Sequence, residues 1–278
     1  EHRMASRGKH TKQRNRKRGR GGRKNRWILL VCLLCIGVCL WLWKETFSIG
    51  IRQTVEGDAF RPVVGDPPYR VAVDAGHGGA DPGAQGIVNE AQMNAQTAEA
   101  LAAWLDRDPN YIPLSTRNSY DTTAKPSERA SYVNALAPQL LLSIHGNSAP
   151  EGSGASGFEC YPAVPGRTWH PESYYFAERL AEGMQAAGAH LRGNSGIRYI
   201  YYEGENKQLV ESSHNEIRLE RSFTILEDVN CPAVLAEQCF VTSEADVAQF
   251  GDEAGCQRVA RIYYEAICAY FGTQPLPA

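Results

Sequence analysis

From residue 69 onward the chain alternates between short apolar runs and longer stretches in which apolar residues recur every three or four positions. The runs at residues 69–75, 111–115, 139–145, 157–161, 222–226 and 232–237 have the length of strands, and the stretches at 90–106, 126–137, 173–188 and 253–271 have helical spacing. In 90–106, Met93, Thr97, Ala98, Leu101 and Leu105 fall on one helical face, which predicts a helix packed on a sheet. Strands and helices in alternation predict an α/β fold: an open, mostly parallel twisted sheet flanked by helices. No Pro/Gly/Ser-rich linker and no internal repeat interrupts it, so residues 69–273 are expected to form one domain without a second folded module.

The opening of the chain reads differently. Trp27–Trp43 is seventeen residues without a charge, flanked by Trp27, Trp41 and Trp43. Roughly 17–25 apolar residues cross a bilayer, and indoles favour its headgroup region. The run exceeds the ~7–15 residues of a cleaved signal peptide, and no convincing small-x-small site follows. One transmembrane helix is therefore expected ahead of the domain, with cleaved export as the alternative. Residues 44–68, with Pro62, Pro67 and Pro68 and no periodicity, read as a tether.

Charge sharpens this picture. The net charge of −2 averages two opposed regions, because residues 1–26 hold twelve Lys/Arg and one acidic residue. Residues 27–278 then carry 17 basic and 30 acidic residues, a net of −13. A basic arm can neutralise phosphates, but an apolar run follows this one at once. The positive-inside rule instead puts residues 1–26 in the cytoplasm and the acidic domain outside a cell membrane, with no nucleic-acid partner.

Of eight cysteines, Cys32, Cys35 and Cys39 lie in the apolar run. Cys160, Cys231, Cys239, Cys256 and Cys268 have no C-x-x-C spacing, which argues against a zinc–thiolate cluster and for buried small side chains.

Candidate chemistry sits where strands end. The 69–75 strand runs into the Gly/Pro-rich loop that presents His77, and the 139–145 strand ends at His145. Glu90 opens a helix between them, and the 232–237 strand delivers Glu237. Open α/β sheets bind their ligands at the carboxyl ends of strands. Two His and one carboxylate, with a position left for water, form a catalytic zinc donor set. Taken alone, Glu90 reads more readily as an acid favoured by a helix dipole. Glu237 reads as a desolvated base or as the partner of Arg117 or Arg129.

The same residues carry a resemblance. Asp74-Ala75-Gly76-His77-Gly78-Gly79, then Asp81-Pro82-Gly83-Ala84 and Glu90, resembles the opening motif of the zinc-dependent N-acetylmuramoyl-L-alanine amidases of the Amidase_3 type. Ser143-Ile144-His145-Gly146-Asn147 resembles their second motif, and Pro232–Phe240 the third, which carries their catalytic glutamate. Gly146 departs from the usual Ala, Gln238-Cys239 from a pair normally ending in Gly, and Ser243 from Asn. The resemblance spans roughly residues 68–271. It implies Zn2+ held by His77, Glu90 and His145, with Glu237 as catalytic base. It also implies peptidoglycan as the substrate, cut between the lactyl group of N-acetylmuramic acid and L-alanine. The rivals are another zinc peptidoglycan hydrolase, carboxypeptidase-like or spore-cortex-processing, and a catalytically dead wall-binding module.

Other residues are assigned lesser parts. His170, His190 and His214 are expected at the surface, Asp74 to orient the metal ligands, and Cys239 to pack. Ser143 lacks the nucleophile elbow of a serine hydrolase. Glu220 and Glu227 are the fallback bases. Residues 200–221, rich in Tyr and charge, read as either a rim over the cleft or a solvated insertion.

Overall fold

The computed structural model describes residues 60–277. The proposed membrane segment 27–43 and the basic segment before it lie outside those residues. Among the described residues, no helix is long and apolar enough to cross a membrane.

Five strands form the central sheet: β1 (Tyr69–Ala75), β2 (Tyr111–Ser115), β3 (Leu140–Asn147), β4 (Glu159–Pro162) and β7 (Ala233–Phe240). Their order is β2-β1-β3-β7-β4, parallel throughout except for β4, which runs antiparallel to β7. Strands buried on both faces need no polar alternation, hence Leu140-Leu141-Leu142 and Val71-Ala72-Val73. Leu140, Leu142 and Ile144 meet α1 (Glu90–Arg107), α3 (His170–Ala186) and α6 (Glu253–Phe271) on one face. Leu141, Ala72 and Leu235 meet α2 (Pro126–Asn134) and α4 (Thr224–Asp228) on the other. Each fully buried Leu or Ile contributes about 1.5–3 kcal/mol, so the two apolar layers fix the strand register. That register places Asp74 beside Ser143 and His145 beside Glu237.

Several bounds shift by one to three residues, as in α3, which spans His170–Ala186 rather than 173–188, and β7, which runs on to Phe240; three differences go further. Residues 222–226 do not form a strand: Thr224–Asp228 is a short helix that buries Ile225 and Leu226. The Glu227 carboxylate reaches back to accept from Ser222 N at 2.8 Å, satisfying an amide at the start of the turn. An apolar run this short carries no period to separate helix from strand. Helix α2 stops at Asn134 rather than 137, ahead of Ala137, which has a φ of 49°, and Pro138. Residues 200–221 are not a plain insertion. Their first half belongs to a hairpin of β5 (Arg198–Glu203) and β6 (Asn206–Glu211), closed by Gly204 at a φ of 62°. Tyr199 and Tyr201 pack with Val164 on one side of it, and Ile200 and Tyr202 face the sheet cluster on the other.

The expected tether is described from residue 60, and there it lies on the domain. Gln139 Nε2 donates to the Val64 carbonyl at 3.3 Å, and the Phe60 ring meets Tyr175 edge-on at 6.1 Å.

Candidate metal centre and catalytic cleft

Three of the four candidate residues converge at the carboxyl ends of β1 and β3. His77 lies one residue past Gly76 with a φ of 61°, a backbone state uncommon for a side-chain-bearing residue. The Arg117 guanidinium holds it there by donating to the His77 carbonyl at 2.6 Å and to that of Ala75. Gly76 has to be glycine, since a Cβ there would lie 2.1–2.5 Å from the His145 ring. Asn89 caps α1 by accepting from Gln92 N at 2.9 Å, which leaves Glu90 free to turn toward the histidines.

One oxygen of Glu90, Oε1, lies 3.1 Å from His77 Nε2 and 3.2 Å from His145 Nδ1, and it accepts from Gly146 N at 3.1 Å. Oε2 accepts from Ala84 N at 2.7 Å. The donor atoms of His77, Glu90 and His145 all lie within 4.8 Å of one another. Two imidazoles and a carboxylate at such spacing fit a zinc ion, a borderline-soft cation that takes nitrogen and oxygen ligands. The hydrogen bond to Glu90, opposed by burial, pushes His77 up to about 9. Burial alone would raise Glu90, but the two imidazoles outweigh it and hold that carboxyl well below the usual range.

Glu237 has the opposite environment. It neighbours His145 in register, and its Oε2 is enclosed without a hydrogen-bond partner. Burial pushes it up to about 7. Neither arginine considered as its salt-bridge partner reaches it. Arg117 is spent on backbone carbonyls, and Arg129 pairs with Asp74. Of the fallback bases, Glu220 is exposed and Glu227 is held by Arg167 at 2.9 Å.

His77, Glu90, His145 and Glu237 line one cleft of about 590 Å³, together with Tyr202, Arg221 and Phe223. The rim alternative for 200–221 is therefore the one observed. The hairpin is tied to the catalytic strands through Glu159 on β4, which pairs in register with Glu237. Its carboxylate accepts from Arg198 of β5 at 2.7 Å and from Asn147 at 2.5 Å.

Some expected roles are corrected. Asp74 touches neither histidine. It is fully buried and accepts from Thr116 at 2.5 Å, Ser143 at 2.7 Å and Arg129, locking β1 to β3 and α2 beneath the site. The residue that orients His77 is Asp81, whose Oδ2 lies 2.9 Å from His77 Nδ1. Its signal was an acid four residues after His77 in the same loop. His170 is half-buried and bonded to the Ala163 carbonyl at 2.7 Å, whereas His190 and His214 are exposed as expected. Cys239 packs 3.7 Å from Met93 Sδ, and all five described cysteines are buried and unpaired.

The departures from the family motifs fit this packing. A Cβ at Gly146 would lie 2.6 Å from Met93 Cε and 2.8 Å from Val241, so glycine accommodates the side chains beneath Glu90. Gln238 donates to the Phe250 carbonyl, and Ser243 caps the next turn by accepting from Asp246 N.

Residues 71–269 match the Amidase_3 family model, described as N-acetylmuramoyl-L-alanine amidase. The chain belongs to that family of peptidoglycan amidases. The catalytic domain of CwlV, an N-acetylmuramoyl-L-alanine amidase from Bacillus (Paenibacillus) polymyxa var. colistinus, superposes with a TM-score of 0.58 at 27% identity, over 74% of this chain and 99% of that one. The uncharacterized protein YqiI of Bacillus subtilis is 28% identical, over 83% of this chain and 98% of its own length. The probable N-acetylmuramoyl-L-alanine amidase AmiB of Haemophilus influenzae is 26% identical over 73% of this chain. The chain spans about half the length of that relative, 52%.

Proposed function

We propose that this protein hydrolyses the amide between N-acetylmuramic acid and L-alanine in peptidoglycan, with zinc held by His77, Glu90 and His145 and with Glu237 as general base. The observation that carries the reading is the pairing, in one cleft, of a convergent His–Glu–His donor set with a carboxylate left without a partner. When bound, zinc supplies Lewis acidity to the cleft. Asp81 fixes the His77 ring so that Nε2 faces the donor set, and the Gly146 amide and both imidazoles orient Glu90. Glu237 takes a proton from the attacking water as its oxygen adds to the carbonyl carbon. It returns that proton to the departing nitrogen as the C–N bond breaks. A carboxyl near 7 is suited to both transfers.

The test is metal content together with product masses. One zinc per chain and free stem peptides beginning with L-alanine are expected. Shortened peptides still attached to glycan would identify a carboxypeptidase, and an inert chain a binding module.

We also propose that residues 27–43 anchor the chain in the cell membrane, with 1–26 cytoplasmic, 44–68 a tether and the catalytic domain at 69–273 outside. The support is the uncharged run and its basic flank. The chain should fractionate with membranes, and a soluble form beginning after residue 43 would establish cleavage instead.

A further inference from the structure

The central sheet has a cavity at each end. The catalytic cleft opens at the carboxyl ends of its strands. A second cavity, of about 200 Å³, lies at the amino ends, where Gln139 leads into β3 and Cys231-Pro232 lead into β7. No residue lines both, and nothing in the proposed reaction uses the second.

The walls of this cavity are largely aromatic. Tyr270 and Phe271 close α6 with their rings 4.9 Å apart and nearly perpendicular, and Phe176 packs edge-on against Tyr270 at 5.6 Å. Trp169, the N-cap residue of α3, adds an exposed indole. The chain ahead of β1 contributes Val64, whose carbonyl is held by Gln139 at 3.3 Å.

Glu172 is the one charged side chain in the lining. Its Oε2 is enclosed and finds no hydrogen-bond donor among the described residues. An acid in the first turn of α3 is favoured by the helix dipole. That accounts for a carboxylate here but brings no donor to the enclosed oxygen, whose desolvation a bound donor would offset. Burial pushes the Cys231 thiol up to about 12, so it lines the cavity uncharged. Burial and then the charge of Glu172 push the Tyr270 hydroxyl upward, which sets the carboxylate beside the aromatic wall.

A lone carboxylate among aromatic rings recognises an organic cation. The oxygen accepts from N–H groups, and the ring faces attract the charge. One unpartnered oxygen suits a compact ammonium better than a guanidinium, whose planar fork matches two oxygens. The volume is below the roughly 300–1,000 Å³ of sites for drug-sized ligands, so the attached chain is short.

We infer that this cavity binds a primary ammonium on a short unbranched apolar stem, with Glu172 as its counter-ion and Trp169, Tyr270 and Phe271 around the stem. The site stands apart from amide hydrolysis and does not depend on that reading.

The probes are n-pentylammonium, n-pentanol and pentanoate, alike in length and different in charge. Each is titrated by calorimetry into the full chain at neutral pH. The ammonium should bind about tenfold more tightly than the alcohol, the scale of one charge-assisted hydrogen bond, and pentanoate should be excluded. Glu172→Gln keeps the shape and removes the charge. It should erase the advantage of the ammonium while melting temperature and turnover stay at wild-type values. A second measurement leaves the sequence unaltered. In the chain labelled with fluorotryptophan, the fluorine signal of Trp169, assigned by its loss in Trp169→Phe, should move when the ammonium is added. That of Trp104, stacked on Tyr264 at 5.5 Å and outside the lining, should stay. A lysine flanked by glycines and blocked at both ends separates two sources of the same chemistry. Binding as tight as that of n-pentylammonium identifies the side chain of another protein, and exclusion of this peptide identifies a free amine. Equal affinity for ammonium and alcohol, an advantage that survives Glu172→Gln, or an unmoved Trp169 signal overturns the inference.

Discussion

Two glutamates of the same cleft differ more than their burial suggests. Glu90 and Glu237 both lose water, and desolvation is the largest influence on each. Glu90 nevertheless stays ionised, because two imidazoles and two backbone amides converge on it. Glu237 rises to about 7, because one of its oxygens meets no donor. Partners, rather than depth, decide which carboxylate holds charge and which exchanges protons. Asp74 is a third case: fully buried, fully partnered, and structural.

The most severe way to break this contrast is to remove the partners of Glu90. His145→Ala leaves two ligands, and stoichiometric zinc should vanish along with activity. Full metal content by elemental analysis would mean the donor set is wrong. On the other side of the cleft, Glu237→Ala should keep its zinc while turnover falls by about 10²–10⁴, the usual contribution of a general base. Zinc loss in that variant would move Glu237 among the ligands, and undiminished turnover would remove it from the mechanism.

Asp74→Ala should act through stability. It strands the Arg129 guanidinium in the interior, at a cost of about 3–5 kcal/mol, readable as a lowered denaturation midpoint. A midpoint close to wild type would mean that Asp74 is not the keystone its bonds suggest.

The smallest effect concerns pH in the metal-free domain. A carboxyl raised from 4.5 to about 7 by folding contributes stability that is complete below 4.5 and lost as pH rises through about 7. Replacing it with an uncharged amide removes that loss. Metal-free Glu237→Gln should therefore gain on wild type in melting temperature between pH 4.5 and 8. His77, raised to about 9, contributes stability that fades as pH climbs through that value in both proteins, so it cancels in the difference. Parallel melting curves would place Glu237 in a polar environment.

Much of the centre was legible because its determinants are local. Apolar runs of strand length ended at His77, His145 and Glu237, and a helix opened at Glu90. The observed β1, β2 and α6 coincide with the residues read from periodicity alone. Residues 222–226 were misread, and the two strands of the hairpin were not seen, for a related reason. Five residues carry too little period to discriminate, and Tyr199 to Tyr202 bury on two different faces, which blurs alternation against charge.

What the sequence by itself determined is the set of chemical groups and the strand ends that carry them, since both follow from residue type and spacing. Only the tertiary structure decided how those groups are partnered. Asp81 rather than Asp74 orients His77, Arg129 serves Asp74 rather than Glu237, and Glu159 joins the hairpin to the catalytic strands. The first is made within a single loop, by its fold; the other two depend on sheet register and helix placement, which bring together residues as far apart as 55 positions in the case of Arg129 and Asp74. Hydrogen bonds act over about 3 Å, so their pairing exists only once the two apolar layers have fixed the strands.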